Sequence, residues 1–191
     1  MRRAFSLFHP AATAFGAAIL AVGLTAAPLR AETAEEMQTL FSELAETGGE
    51  GWVRAESDIL RIWSRSGSAA LDLLLIRGEA ALDAGDTAAA IGHLTALTDH
   101  APDFAAGWTA RATAYALAGQ AGPAAADLSR ALQLEPRDWN ALTLLGALLE
   151  ESGDTARALA AYQASLKINP HQQDTADAVT RLTTADLGQD A

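Results

Sequence analysis

Catalytic chemistry in this chain of 191 residues would have to come from four histidines, His9, His93, His100 and His171, and from 24 acidic residues, because there is no cysteine. Without thiols there is no disulfide, no thiolate metal site, no cysteine nucleophile and no lipid linked through cysteine. His93 and His100 are seven residues apart, which is ~10 Å along one helix and too far for them to share a metal ion. Asp99 does not face His100, because neighbours on a helix point apart. The histidines therefore read as surface residues. No glycine-rich phosphate loop, HExxH, GxSxG or EF-hand pattern occurs, and no carboxylate pair stands against a candidate nucleophile. The expectation is a protein that is not an enzyme, with no metal and no cofactor. Trp52, Trp63, Trp108 and Trp139 have the right type for stacking on a ligand, but their helical positions read as packing first. Trp52 and Trp63 are the pair left open.

The elements that carry these residues are helices. Half the residues are apolar yet only 6% are aromatic, and alanine and leucine dominate the apolar share, a composition suited to close-packed helices rather than sheets. The formal charge of -11 disfavours nucleic acid and anionic membrane surfaces, both of which attract basic patches.

The segment from Met1 to Ala31 has the order of an export signal. Met1-Arg2-Arg3 is basic, Ala11 to Ala27 carries no charge, and Pro28-Leu29-Arg30-Ala31 leads into an acidic run, so cleavage is expected near Ala31 and the location periplasmic or secreted. The apolar stretch is short of the ~20 residues that a spanning helix needs; the membrane enters only if this segment stays uncleaved. Removing Arg2, Arg3 and Arg30 leaves 10 of the 13 basic residues against 24 acidic ones, a mature charge of -14.

One even spacing organises the rest. Pro102, Pro136 and Pro170 follow it, as do Gly85, Gly119 and Gly153, then Ala90, Ala124 and Ala158, then Leu94, Leu128 and Tyr162. The glycine ends a first helix in a left-handed turn, and Asp86 and Asp154 are placed to cap the second helix that follows. The alanine lies where the two helices cross closely, Leu or Tyr fills the adjoining groove, and the proline ends the unit.

These residues resemble the tetratricopeptide repeat family, whose unit is ~34 residues long. With each proline at position 32 of such a unit, the units run 71–104, 105–138 and 139–172. The family's first-helix signature at positions 4, 7, 8 and 11 reads Trp108, Arg111, Ala112, Tyr115 and then Leu142, Leu145, Gly146, Leu149, with a looser Leu74, Arg77, Gly78, Ala81 in the first unit. The resemblance implies an all-α fold: a right-handed superhelical solenoid of antiparallel helix hairpins, with residues 32–68 as a degenerate hairpin capping the first unit and 173–191 as a C-terminal capping helix and tail. An arginine at a packed position needs a partner; for Arg111 that partner is expected to be Asp127.

The resemblance also implies where a partner sits, on the concave wall made by the first helix of each unit. The candidate residues there are Asp72, Leu75, Ile76, Glu79 and Asp83, then Thr109 and Thr113, then Asn140, Thr143, Leu144, Glu150 and Glu151. The wall is apolar and small in its middle and acidic towards its edges, which suits an apolar or weakly basic protein segment, for instance an amphipathic helix. Some members clamp the carboxylate end of chaperone tails with Lys, Arg and Asn; here only Asn140 has the required type. The expected function is a non-enzymatic interaction scaffold or adaptor of a bacterial cell envelope, the alternative a structural protein that self-associates without a separate ligand.

Overall fold

A computed structural model describes residues 26–46 and 48–189, and among them every regular element is a helix. The helices are α1 (Ala26–Leu44), α2 (Gly51–Trp63), α3 (Ala69–Asp83), α4 (Thr87–His100), α5 (Ala105–Leu117), α6 (Ala121–Leu134), α7 (Trp139–Glu151), α8 (Thr155–Ile168) and α9 (Gln173–Gln189). Most of the expected export signal lies outside the described residues, and the expected cut after Ala31 falls within α1. No described helix is long and apolar enough to cross a membrane.

The sequence period becomes geometry at each turn. Gly85, Gly119 and Gly153 have φ of 74°, 70° and 82°, a conformation that costs a side chain about 1–2 kcal/mol. In each case the next amide reaches back around the glycine: Asp86 N donates to Ala81 O, Gln120 N to Tyr115 O, and Asp154 N to Leu149 O, at 2.8–2.9 Å. These bonds satisfy carbonyls that the helix end leaves unpaired. Asp86 and Asp154 then cap α4 and α8, accepting from Ala89 N and Arg157 N, and α4, α6 and α8 each stop two residues before a proline.

The paired helices α3/α4, α5/α6 and α7/α8 pack at alanines 90, 124 and 158, all fully buried. A Cβ added at Gly146 would stand 2.6 Å from the Tyr162 ring, and one added at Gly78 would stand 2.5 Å from Leu94 Cγ. Helices this close leave room for a large side chain from only one partner. Helix α9 closes the last unit, with Leu182, Ala178 and Val179 on Ala158 and Tyr162. Arg181 pairs with Glu150 across the same junction.

The α1–α2 hairpin is seated differently from a cap on the first unit. Neither helix lies backbone-close along any helix of the repeat units; the hairpin's seat is made by side chains. Leu40, Phe41, Leu44, Ala55 and Ile59 form one core with Trp139, joined by Trp63 and Ile168. Trp63 lies 4.9 Å from Trp139, and Phe41 meets Trp139 edge-on at 6.2 Å. Arg137 lies over the Phe41 ring at 3.9 Å. At the far end Trp52 stacks on His171 at 4.0 Å, His171 Nε2 donates to Glu46 O, and Asn169 Nδ2 donates to Glu56. The physical reason is aromatic area: the apolar face of the hairpin is buried on the start of α7 and the end of α8. The linker to α3 is fixed by Asp72, which accepts from Ser66 N and Oγ at 2.7 and 2.6 Å. The hairpin thus runs from its attachment at the first unit to the third, across the edge of the curve.

Candidate functional site

The first helices of the units, α3, α5 and α7, form the inner wall, and the C-terminal end of α2 faces it. Between them lies a cavity of about 600 Å³. Helix α3 contributes Leu75, Glu79 and Leu82; α5 contributes Ala106, Thr109, Ala110 and Thr113; Asp138 and Asn140 stand at the start of α7. Helix α2 supplies Leu60, Arg61, Trp63 and Ser64. The small residues of α5 come from the same crossing geometry that builds the solenoid, and they leave the space that larger side chains would fill.

Five of the twelve candidate residues meet at this cavity: Leu75, Glu79, Thr109, Thr113 and Asn140. Leu75 is buried beneath its surface, and Ile76 and Asp83 are exposed on α3. Asp72 serves the α2–α3 linker. In the third unit Thr143 bonds to Ser165 Oγ and Gln172 Oε1 at 2.8 and 3.0 Å. Leu144 joins the core around Ala112 and Leu128. Glu150 accepts from Tyr162 at 3.1 Å and pairs with Arg181, while Glu151 is exposed. The cavity is therefore confined to α3, α5 and the first turn of α7, because α9 and the second helix of the last unit engage the polar groups further along.

Sequence reasoning did not place α2 and Asp138 in the wall. The signal for α2 was present in Trp52, Ile59, Leu60 and Trp63, which share one helical face; Ile59 lies in the core under Trp139, Leu60 lines the cavity, Trp63 does both, and Trp52 stacks on His171. Asp138 is the N-cap of α7, accepting from Ala141 N, and it also accepts from Thr109 Oγ1 at 2.6 Å.

The electrostatics are one-sided. Glu79 is exposed to solvent, yet partial desolvation by the wall, then the neighbouring charge of Asp83, raises its carboxyl above the usual range, and it has no ion pair among the described residues. Burial likewise raises Asp138, against the hydrogen bonds from Thr109 and the α7 amides. Arg61 is the one cation of the cavity wall, and its Nη2 is held 3.0 Å from Asp58.

Away from the cavity, Arg111 has the partner expected of it. Nε and Nη2 donate to both oxygens of Asp127 at 2.7 and 2.8 Å, Nη1 donates to Thr98, and the guanidinium lies against the Trp108 and Tyr115 rings. Arg77, at the equivalent place in the first unit, is exposed. No group of three or more potential metal ligands occurs among the described residues.

No family model matches the chain. It is 28% identical over 149 residues to the TPR repeat-containing protein RHE_CH03534.1 of Rhizobium etli, covering 78% of this chain and 73% of that one. It is 35% identical over 109 residues to Superkiller complex protein 3 of Mus musculus, matching 56% of this chain but only 6% of that relative's length. Among solved structures it superposes on the first TPR of Spaghetti (RPAP3) bound to the HSP90 peptide SRMEEVD, with a TM-score of 0.58 and 22% identity, covering 60% of this chain and 94% of that one. The fold is that of the tetratricopeptide solenoid.

Proposed function

We propose that this chain is a non-enzymatic protein–protein interaction scaffold or adaptor of a bacterial cell envelope, and that it takes a partner segment in the concave groove. The observation that carries the reading is the cavity itself: among the described residues, Leu75, Leu82, Ala106 and Ala110 of α3 and α5 line an open groove. A solenoid buries its apolar sides on neighbouring units and presents a preformed wall, which keeps the ordering cost of binding low. The envelope setting rests on the order of Met1 to Ala31 alone, and the bacterial relative bears only on the bacterial source. The peptide named with the solved neighbour carries two glutamates and an aspartate. The wall here carries Glu79 and Asp138 instead of a set of free cations, so the segment it suits is apolar or weakly basic.

A photo-crosslinking residue at Thr113 tests this directly. Capture of a discrete partner from envelope extract is expected from Thr113, with loss of that capture when Ala110→Trp fills the cavity. Equal capture from a position on the outer helix α6, unchanged by Ala110→Trp, would place binding elsewhere.

A second reading, self-association, is favoured by one observation. With the hairpin seated on the third unit, α3 exposes Leu73 and Ile76, which are 44% and 58% accessible, at the first unit's open side. Light scattering across protein concentrations distinguishes it, and Ile76→Glu would return any oligomer to monomer.

A further inference from the structure

We infer that the groove is gated in shape by its own hairpin, and that it accepts from its partner one large apolar side chain with a lysine or arginine beside it on a non-helical stretch. This rests on the reading of the concave groove as the partner's seat, and deepens it.

Size sets the first limit. A helix with its side chains is ~10–12 Å across, so it needs both walls of the groove, α3 and α5 on one side and the end of α2 on the other, to stand at least that far apart. The unobstructed inner wall of a solenoid accepts such a helix, but here Leu60 and Trp63 of α2 stand opposite Leu75 and Leu82. Trp63 is held there by its packing on Trp139 and Phe41. A partner helix seated between the walls would press on Leu60 and Trp63 and strain that packing. An extended stretch that inserts one side chain does not.

Chemistry sets the second. Leu60 is 40% exposed although it lines the cavity, so the wall offers apolar area on both sides of an inserted Leu, Met or Phe. Glu79 stands on α3 with no cation paired to it among the described residues, and Asp83, one turn on, adds like charge. Asp138 on the opposite side is satisfied by hydroxyl and amide donors rather than by a cation. Arg61, half exposed, is held 3.0 Å from Asp58 on its own helix, an acid it shares with Arg54. An incoming ammonium or guanidinium meets an uncompensated carboxylate, whereas an acidic segment meets repulsion. The polar rim therefore selects the sign of the residue that flanks the apolar anchor.

The test uses the full chain with leucine methyls labelled and short glycine/serine peptides as probes: one with a central Leu-Lys, one with Leu replaced by Ser, one with Lys replaced by Glu, and a stapled helical peptide of equal composition. The Leu-Lys peptide is expected to shift the methyls of Leu60, Leu75 and Leu82 saturably, the Ser version to shift none, and the Glu version to bind about ten-fold more weakly. Glu79→Gln should bring the Lys and Glu peptides together. Leu60→Ser, which leaves the solenoid core intact, should weaken the Leu-Lys peptide. Equal binding of the Lys and Glu peptides would overturn the inference, as would tighter binding of the stapled helix or no methyl shift with any peptide. Methyl shifts that follow protein concentration alone would make a second copy the occupant and overturn it too. In each of these cases the crosslink from Thr113 still decides whether a partner uses the groove.

Discussion

Trp63 and Trp139 face each other at 4.9 Å with their planes tilted by 40°, and Trp139 is 1% exposed. Helices α2 and α7, which have the first two repeat units between them in sequence, meet at this pair. It decides where the hairpin sits, and through the hairpin it decides the width of the groove.

Trp139→Ala should cost about 3–5 kcal/mol, the range for truncating a buried aromatic. The loss should fall first on the hairpin: amide exchange in α1 and α2 should accelerate, while α4, α5 and α6 keep most of their protection. Urea unfolding followed by exchange measured by mass spectrometry checks both statements.

The stack of Trp52 on His171 is a smaller clip at the other end of the same seat. Because an aromatic pair adds about 0.5–1.5 kcal/mol beyond its area, His171→Ala should speed exchange in the first turns of α2 by about three- to ten-fold. The loop from Asn169 keeps its shape in this variant, since Asn169 is fully buried and bonded to Glu56.

Asp127→Ala leaves Arg111 charged, largely buried and bonded only to the hydroxyls of Thr98 and, more weakly, Thr95, beside the flanking rings. Breaking such a pair costs about 3–5 kcal/mol, whereas replacing both partners with apolar residues recovers much of it. A double-mutant cycle with Arg111→Leu and Asp127→Leu in denaturant should show the double variant more stable than the Asp127→Ala single. Binding in the groove should be unaffected, because neither residue lines the cavity.

Gly146→Ala and Gly92→Ala should move stability in opposite directions. The first places a Cβ 2.6 Å from the Tyr162 ring and should destabilise by about 1–3 kcal/mol. The second meets nothing within 4 Å in the middle of α4 and should stabilise by about 0.5–1 kcal/mol through helix propensity alone. Thermal melts of the two variants give the comparison.

The Tyr162 hydroxyl is pushed up to about 12, first by burial and then by the Glu150 carboxylate that accepts its hydrogen bond. A phenol whose folded value lies above its unfolded value of ~10 gives stability that is complete below pH ~10 and lost as pH rises towards 12, because the unfolded chain ionises first. Urea midpoints should therefore fall between pH 10 and 12 in the wild type. In Tyr162→Phe that component of the fall should vanish, at a cost of about 1 kcal/mol near neutrality for the lost hydrogen bond.

How much of this was legible in the residues follows from what local chemistry specifies. A glycine forced to positive φ, a proline that stops a helix and an alanine at a crossing are local constraints, so Gly119, Pro136 and Ala124 announce their roles by type and spacing. Arg111 was legible for a related reason: a charge at a packed position demands a counter-charge on the facing helix, and Asp127 is the acid there. The seat of the hairpin was not legible, because a stripe such as Trp52, Ile59, Leu60 and Trp63 states that a face is buried without naming the surface that covers it. The same gap affected the third unit. Thr143 and Glu150 hold inner-wall positions by count, but Thr143 is bonded into the turn before α9 and Glu150 to Arg181 of α9 itself. That outcome depends on how the terminal segment lies, which the repeat period does not encode.

The central claim is that α2 crosses to the third unit and forms one wall of the groove. Proton cross-relaxation on the full chain with its tryptophans and methyls labelled measures this most directly. The structure predicts strong cross-peaks between the indoles of Trp63 and Trp139 and between Trp52 and His171. Cross-peaks instead from Trp63 to Leu73 and Ile76 would put the hairpin on the end of the first unit as a cap, and the composite groove would not exist.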